Sequence, residues 1–202
     1  MELVIASTNM HKVREFRSLL KPLGFDILSL HDFPTYLPPE ETGITFEENA
    51  ILKSKNAATS FGKWSLSDDS GLIVPALKGL PGVHSSRYAG TEATDRENRL
   101  KLLFNMRHLE ETSRDAYFEC VIAITSPEGI VKSFQGACEG SIIEEERGRN
   151  GFSYDPIFRK HEYSKTFAEL SEDIKSKISH RRKAFDKALL FLQSIREHAL
   201  LD

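Results

Sequence analysis

Leu3-Val4-Ile5-Ala6 is a short run with no polar break, the pattern of a buried strand. Beyond a polar loop, Val13, Phe16, Leu19 and Leu20 recur at helical spacing, and Pro22 with Gly24 closes that helix. Residues 25–30 read as a second strand. Strand, helix and strand in that order favour a right-handed crossover, because a twisted strand feeding a right-handed helix packs back onto its sheet only in that sense. The chain is therefore expected to be α/β, with a parallel or mixed sheet.

A polar, proline-bearing loop covers residues 31–43, and Thr45-Phe46-Glu47-Glu48 then supplies a capping box, with Thr45 as N-cap and Glu48 at the third helical position. That helix is expected to run to Phe61 and to end at Gly62. Residues 66–77 hold an acidic turn and a strand interrupted by Pro75, and residues 79–90 read as loop. Thr94-Asp95-Arg96-Glu97 is a second capping box, opening a helix that carries Leu100, Leu103 and Phe104. Residues 116–125 and 129–137 flank the turn Ser126-Pro127-Glu128-Gly129 as a hairpin, with a third strand at 141–145. Ile174, Ile178, Phe185, Leu189 and Leu192 mark one C-terminal helix. No repeat, low-complexity segment or linker interrupts residues 1–202, which read as a single domain; its middle strands are expected to form a second lobe across a cleft from the first.

At 40% hydrophobic and 28% charged residues the composition is that of a soluble globular protein. A net charge of −3 and a pI near 6.2 argue against a dedicated nucleic-acid binder, which needs a basic face. No apolar run approaches the roughly 20 residues that span a bilayer, so no membrane partner is expected. Met1-Glu2-Leu3 opens a strand and not a signal peptide. Cys120 and Cys138 lack metal-ligand spacing and fit buried thiols in a reducing cytosol.

Ser67-Asp68-Asp69-Ser70-Gly71-Leu72 puts two adjacent carboxylates at the end of a β-type run from Trp64. Neighbouring strand residues point to opposite faces, so the two acids are expected neither both buried nor both exposed. The Ser-Gly turn would bring backbone N–H groups close to whatever one of them faces. Alone, such a hexapeptide is most often an ordinary Asp-rich turn. A second acidic turn, Glu40-Glu41-Thr42-Gly43, adds hard oxygen donors of the kind Mg²⁺ uses when it holds phosphates.

Ser7-Thr8-Asn9-Met10-His11-Lys12 lies between the first strand and the first helix, where open α/β sheets take ligands and helix-start N–H groups attract anions. Lys12 adds a point charge for a phosphate. A plain N-cap at Thr8 or Asn9 with a solvated lysine explains the same segment equally well. Lys53, one turn beyond Asn49, could face the same cleft, but a surface lysine is the commoner outcome and Lys53 is not counted in the site. Phe152-Ser153-Tyr154-Asp155-Pro156 sets two rings and a carboxylate in one turn, apt for stacking a base or for anchoring a core. Lys175, His180, Arg181, Arg182 and Lys183 concentrate positive charge at the start of the last helix. His180 and Arg181 are the pointed pair, since both donate to carbonyl or phosphate oxygens.

In order along the chain, these segments resemble the Ham1-type inosine triphosphate pyrophosphatases. The matching pieces are Ser7-Thr8-Asn9 with Lys12, Glu40-Glu41-Thr42-Gly43, Thr45-Phe46-Glu47-Glu48-Asn49-Ala50 and Ser67-Asp68-Asp69-Ser70-Gly71-Leu72. They continue with Pro81-Gly82-Val83-His84-Ser85-Ser86-Arg87, Phe152-Ser153-Tyr154-Asp155-Pro156-Ile157-Phe158, Phe167-Ala168-Glu169-Leu170 and Ile178-Ser179-His180-Arg181. No one segment is specific; the ordered set is. One departure stands out: the family usually carries Gly-Phe-Gly-Tyr-Asp where this chain has Gly151-Phe152-Ser153-Tyr154-Asp155, so Ser153 must accept backbone angles that glycine adopts freely.

The resemblance implies an elongated, bent, mixed sheet with flanking helices and two lobes around a central cleft. It implies hydrolysis of the triphosphates of inosine, deoxyinosine and xanthosine to the monophosphate and pyrophosphate, by a cytoplasmic homodimer. Carried over residue by residue, Ser7, Thr8, Asn9, Met10, His11 and Lys12 would cradle phosphate. Glu40 and Asp69 would hold Mg²⁺, with Asp69 also acting on the attacking water. Ser70, Phe152, Ser153, Tyr154, Asp155, Lys175, His180 and Arg181 would contact the nucleotide. The alternatives are a pyrophosphatase for a modified pyrimidine or methylated purine nucleotide, against which Ile178-Ser179-His180-Arg181 speaks, and a non-enzymatic sensor, against which intact Glu40 and Asp69 speak.

Overall fold

A computed structural model describes residues 1–198. Strand β1 (Glu2–Ile5) leads into helix α1 (Met10–Leu20), strand β2 (Asp26–Ser29), helix α2 (Phe46–Phe61) and the long strand β3 (Trp64–Ile73). Helix α3 (Asp95–Asn105), strands β4 (Asp115–Thr125), β5 (Val131–Ile142) and β6 (Phe158–Lys160), and helices α4 (Glu172–Ile178) and α5 (His180–His198) follow among the described residues. The six strands form one sheet in the order β2-β1-β3-β4-β5-β6. β1 runs parallel to both β2 and β3, whereas β5 and β6 are antiparallel. The fold is a mixed-sheet α/β architecture, as the opening strand–helix–strand pattern requires.

The chain divides into two compact units. The first comprises Met1–Asp69, Cys120–Gly136 and the segment from Ala184; the second comprises Ser70–Glu119 and Ala137–Lys183. Within the first, Val13, Phe16 and Leu20 of α1 pack with Leu3, Ile5 and Leu66 and with Phe185, Ala188 and Leu192 of α5. A smaller cluster joins Val4, Ala6, Leu30 and Ala57. Within the second, Tyr154, Phe158, Phe167 and Phe118 form the centre of a separate core with Leu72, Leu102 and Met106. Burying each large apolar side chain contributes about 1.5–3 kcal/mol.

Helix limits follow their caps. Asn9 caps α1, accepting from His11 and Lys12 N–H; Gly62 ends α2 with φ 61°; Thr94 and Glu97 close a complete capping box on α3. The box expected at α2 is half formed: Thr45 accepts from Glu48 N–H, but the Glu48 carboxylate reaches back to Ile44 N–H at 2.7 Å instead of to Thr45. The expected single C-terminal helix is two. Ser179 is extended (φ −69°, ψ 159°) between them, and its hydroxyl accepts from Arg182 N–H, so it acts as an N-cap for α5. Residues 79–90 include a 3₁₀ segment, Gly82–Arg87; of the third strand expected at 141–145, residues 141–142 are the end of β5 and 143–145 lie outside any strand; and β6 is a further strand.

The largest revision concerns Ser67-Asp68-Asp69-Ser70-Gly71-Leu72, which lies inside continuous β3 and forms no turn. Asp68 and Asp69 are both buried, 1% and 7% exposed. Alternation still holds, but a strand covered on both faces buries both of its neighbours. Asp68 meets Lys12 of α1, and Asp69 meets Asn49 and Lys53 of α2.

Cys120 and Cys138 are buried and unbridged. Burial pushes the Cys138 thiol up to about 11 against the opposing pulls of Lys183 and Lys160. Because the thiolate is the reactive form, the folded protein at pH 8 should leave Cys138 unmodified by a thiol reagent on a timescale that labels it fully in guanidinium. Rapid labelling of the folded protein would contradict this burial.

Candidate active site

In the first unit the chemistry gathers where β3 passes between α1 and α2. Lys12 Nζ lies 3.0 Å from Asp68 Oδ2, and the Cys120 thiol approaches the same oxygen at 3.8 Å. Lys53 Nζ bridges Glu41 Oε1 at 2.8 Å and Asp69 Oδ1 at 3.3 Å. Lys53 is not the surface lysine its local sequence suggests but the cation that joins the acidic loop to the acidic strand. Burial alone would push the Lys53 ammonium down, but Asp69, Glu41 and Asp68 outweigh that cost and hold its pKa above the ordinary lysine value. Burial raises the Asp69 carboxyl against the opposing pull of Lys53 and Lys12, and Glu41 and Asp68 add to the rise. A carboxylate of raised pKa is a stronger proton acceptor than an exposed one.

Asn49 builds the same centre from below. Its Oδ1 accepts from Gly43 N–H at 2.8 Å, while Nδ2 donates to Gly43 O at 3.3 Å and to Asp69 Oδ2 at 3.2 Å. One fully buried amide thus ties the end of the acidic loop to Asp69. Gly43 permits the approach, since a Cβ there would sit 2.6 Å from Asn49 Oδ1. Glu40 is exposed on that loop, one residue before the Glu41 that Lys53 engages. Thr8, Met10 and His11 are exposed at the mouth of α1, while Asn9 spends its side chain on the helix cap. Lys12 is not a solvated lysine, being held against Asp68.

In the second unit, Asp155 organises the aromatic turn. Its Oδ2 accepts from Phe152 N–H at 2.8 Å and from Lys175 Nζ at 2.5 Å. Gly151 has φ 76°, and a Cβ there would collide with the Asp155 carboxylate. Ser153 does adopt glycine-like angles, with φ 55°. Of the two rings, only Phe152 is partly exposed. Tyr154 is a core residue, fully buried with its hydroxyl donating to Ser85 O at 2.9 Å, because the turn folds its ring inward to join Phe158 and Phe167. Lys175, on α4 and so not on the last helix, lies 5.1 Å from the centroid of the Phe152 ring. His180 stacks on Phe118 at 4.8 Å, and the deeply buried Arg181 donates from Nη2 to Ser70 Oγ at 3.2 Å.

The model of the Ham1 family matches residues 3–191. The chain belongs to the Ham1 family. It is 53% identical over 199 residues to a dITP/XTP pyrophosphatase of Protochlamydia amoebophila, covering 98% of this chain and 100% of the relative. A dITP/XTP pyrophosphatase of Chlamydia trachomatis serovar L2 is 52% identical over 203 residues, covering 100% and 97%. Among solved structures, the Ham1 protein of Coxiella burnetii matches with a TM-score of 0.88 at 41% identity, and that of Staphylococcus aureus with 0.86 at 42%. Each pairing covers 96% of this chain and 99% of the other.

Lys12, Asn49 and Lys53 thus gather around Asp68 and Asp69 in the first unit, and Phe152 and Lys175 around Asp155 in the second. What the sequence reading missed, it missed through long-range pairing. Nothing local marks Lys53 for burial, although its spacing from Asn49, one helical turn, puts both on the face that meets β3. Asn49→Ala removes three hydrogen bonds, leaving buried partners unsatisfied, and should lower unfolding stability by about 1–3 kcal/mol. Urea unfolding measures this; a change under about 0.5 kcal/mol would mean that the amide contributes nothing beyond its volume.

Proposed function

We propose that this Ham1 protein hydrolyses deoxyinosine, inosine and xanthosine triphosphates to the monophosphate and pyrophosphate, clearing deaminated purines from the nucleotide pool. The observation that carries the reading is the buried pair Asp68 and Asp69, each held to its own lysine. Opening a phosphoanhydride needs cations against the phosphate charge and a base for water, and this pair with Lys12 and Lys53 supplies both. Relatives of similar length bearing the dITP/XTP pyrophosphatase name support the substrate class.

Glu41 and Asp69 already share one cation, the Lys53 ammonium, and the exposed Glu40 beside Glu41 adds a hard oxygen donor of the kind Mg²⁺ takes. Asp69 and the exposed Glu40 would hold the ion, while Glu41 keeps Lys53 in place. Bound there, Mg²⁺ supplies charge neutralisation for the phosphates and lowers the pKa of water. Asp69 accepts the proton of the attacking water at its carboxylate. Lys12 and Lys53 balance charge on the phosphates, and residues 7–12 bind phosphate at the mouth of α1. As water adds, the bond between the α- and β-phosphates opens and pyrophosphate leaves.

In the second unit, Phe152 offers a ring face for the base, and Lys175 stands beside it. Ser153, Tyr154 and Asp155 shape that turn. His180, Arg181 and Ser70 read the base edge. Inosine and xanthosine carry an oxygen at C6 where adenine has an amino group, so a donor there is satisfied only by the 6-oxo bases. Adenine would set donor against donor, at a cost of about 1–3 kcal/mol per unpaired group. The same reading makes the protein a cytoplasmic homodimer. No helix among the described residues is long and apolar enough to cross a membrane.

Purified protein with Mg²⁺ and inosine triphosphate should yield inosine monophosphate and pyrophosphate, and Asp69→Asn should lower turnover by about 10² or more. Stepwise release of orthophosphate, or near-normal turnover in a folded Asp69→Asn variant, would reject the mechanism. Arg181→Ala should narrow the preference for inosine over adenosine triphosphate more than that for inosine over guanosine triphosphate, measured as ratios of kcat/KM. If all three nucleotides slow by one factor, Arg181 binds phosphate and does not read the base.

A further inference from the structure

The aromatic turn holds itself only in part. Asp155 grips Phe152 N–H, but the serine between them sits at φ 55°, where a side-chain-bearing residue is disfavoured. Neither backbone polar group of Ser153 is bonded within the turn. Ser153 N–H donates to Asp95 Oδ2 at 2.7 Å, and Ser153 O accepts from Arg99 Nη1 at 2.7 Å. Asp95 and Arg99 are four residues apart on α3, hence on one face, and together close on the peptide groups flanking a single residue.

The grip is itself braced. Arg99 donates from Nε to Glu146 Oε1 at 2.9 Å and from Nη2 to Glu146 Oε2 at 3.3 Å, a two-pronged pairing that fixes the guanidinium plane and leaves Nη1 aimed at Ser153 O. The Arg99 side chain is 11% exposed, so this is no solvated surface pair. At its N-terminus α3 is anchored by the complete Thr94–Glu97 capping box, which keeps Asp95 in the first turn.

We infer that Asp95 and Arg99, with Glu146 behind Arg99, are positioning residues that clamp the aromatic turn around Ser153 and thereby set the affinity for the nucleotide. The inference rests on the reading that Phe152 meets the base. Neither residue touches the substrate; both act through the orientation of the Phe152 ring. The clamp also accounts for serine where the family usually has glycine: two strong hydrogen bonds from one helix face stabilise the left-handed backbone that glycine would adopt unaided.

The test compares Arg99→Ala, Asp95→Ala, Phe152→Ala and the double variant Arg99→Ala/Ser153→Gly, by steady-state kinetics on deoxyinosine triphosphate and by amide hydrogen exchange over residues 151–155. Arg99→Ala and Asp95→Ala should each raise KM about five- to tenfold with kcat within about twofold, the signature of lost ground-state positioning. Exchange in residues 151–155 should quicken while the rest of the second unit keeps its protection. Adding Ser153→Gly to Arg99→Ala should bring KM back toward the parent value, because the strained angle no longer needs support. Unchanged exchange in the single variants overturns the clamp. Faster exchange with unchanged KM, while Phe152→Ala raises KM, overturns its role in binding, as does a KM defect that Ser153→Gly leaves untouched. Unchanged kinetics in Phe152→Ala would instead overturn the assignment of the turn to the base, and the affinity role with it, with the exchange data still deciding whether the clamp exists.

Discussion

Two carboxylates on consecutive residues of a covered strand set the terms for the first unit. An ionised Asp loses several kcal/mol of hydration on burial unless a partner replaces it. Asp68 and Asp69 point to opposite sides of β3, so no one partner serves both. Lys12 comes from α1 and Lys53 from α2. The strand therefore dictates which face of each helix turns inward, and α1 and α2 are held by charge as well as by Phe16, Leu20 and Ala57. A site whose acids are already compensated by lysines is prepared for a polyanion, because the same ammonium groups can be shared with phosphate oxygens without first being ordered.

The second unit uses charged side chains for a different problem, holding a turn rather than compensating a buried acid pair. Its turn must carry a half-exposed ring on a backbone that folds Tyr154 into the core one residue after Ser153. Asp155 fixes the turn from inside and α3 fixes it from outside. Rigidity at such a turn matters because each unfrozen rotor or peptide has to be ordered again on binding.

Local grammar was readable and distant pairing was not. Thr45, Gly62, Thr94 and Asn9 mark helix ends through bonds to residues two to four away, so their effect is written in nearby letters. The acidic hexapeptide misled because Asp, Ser and Gly favour turns locally, yet β3 runs through them to Ile73. The place of β3 inside the sheet, between β1 and β4, and lysine partners from two helices override that preference. At Ser179 the apolar spacing of Ile174, Ile178 and Phe185 continues across the cap and masks it. Tyr154 could be separated from Phe152 only by knowing where the core lies. Ser153 was the exception among the distant features: its departure from glycine announced a backbone demand that the φ of 55° meets.

The alternation along β3 has a consequence for how this sequence can vary. Side chains there obey an odd–even rule, with Asp68 assigned to α1 and Asp69 to α2. Adding or losing one residue ahead of the pair would exchange those assignments, handing each carboxylate to the wrong helix and the apolar Leu66 to the wrong side. Two residues at once would restore the faces but shift the pair by a full pleat away from both lysines. The loop at 31–43 faces no such parity: it is tied at separate points, Phe33 and Tyr36 against Phe61, Glu41 to Lys53 and Gly43 to Asn49, and the largely exposed stretch between Tyr36 and Glu41 obeys no odd–even rule. Length changes in this lineage are therefore to be sought in that loop, while β3 keeps its residue count fixed.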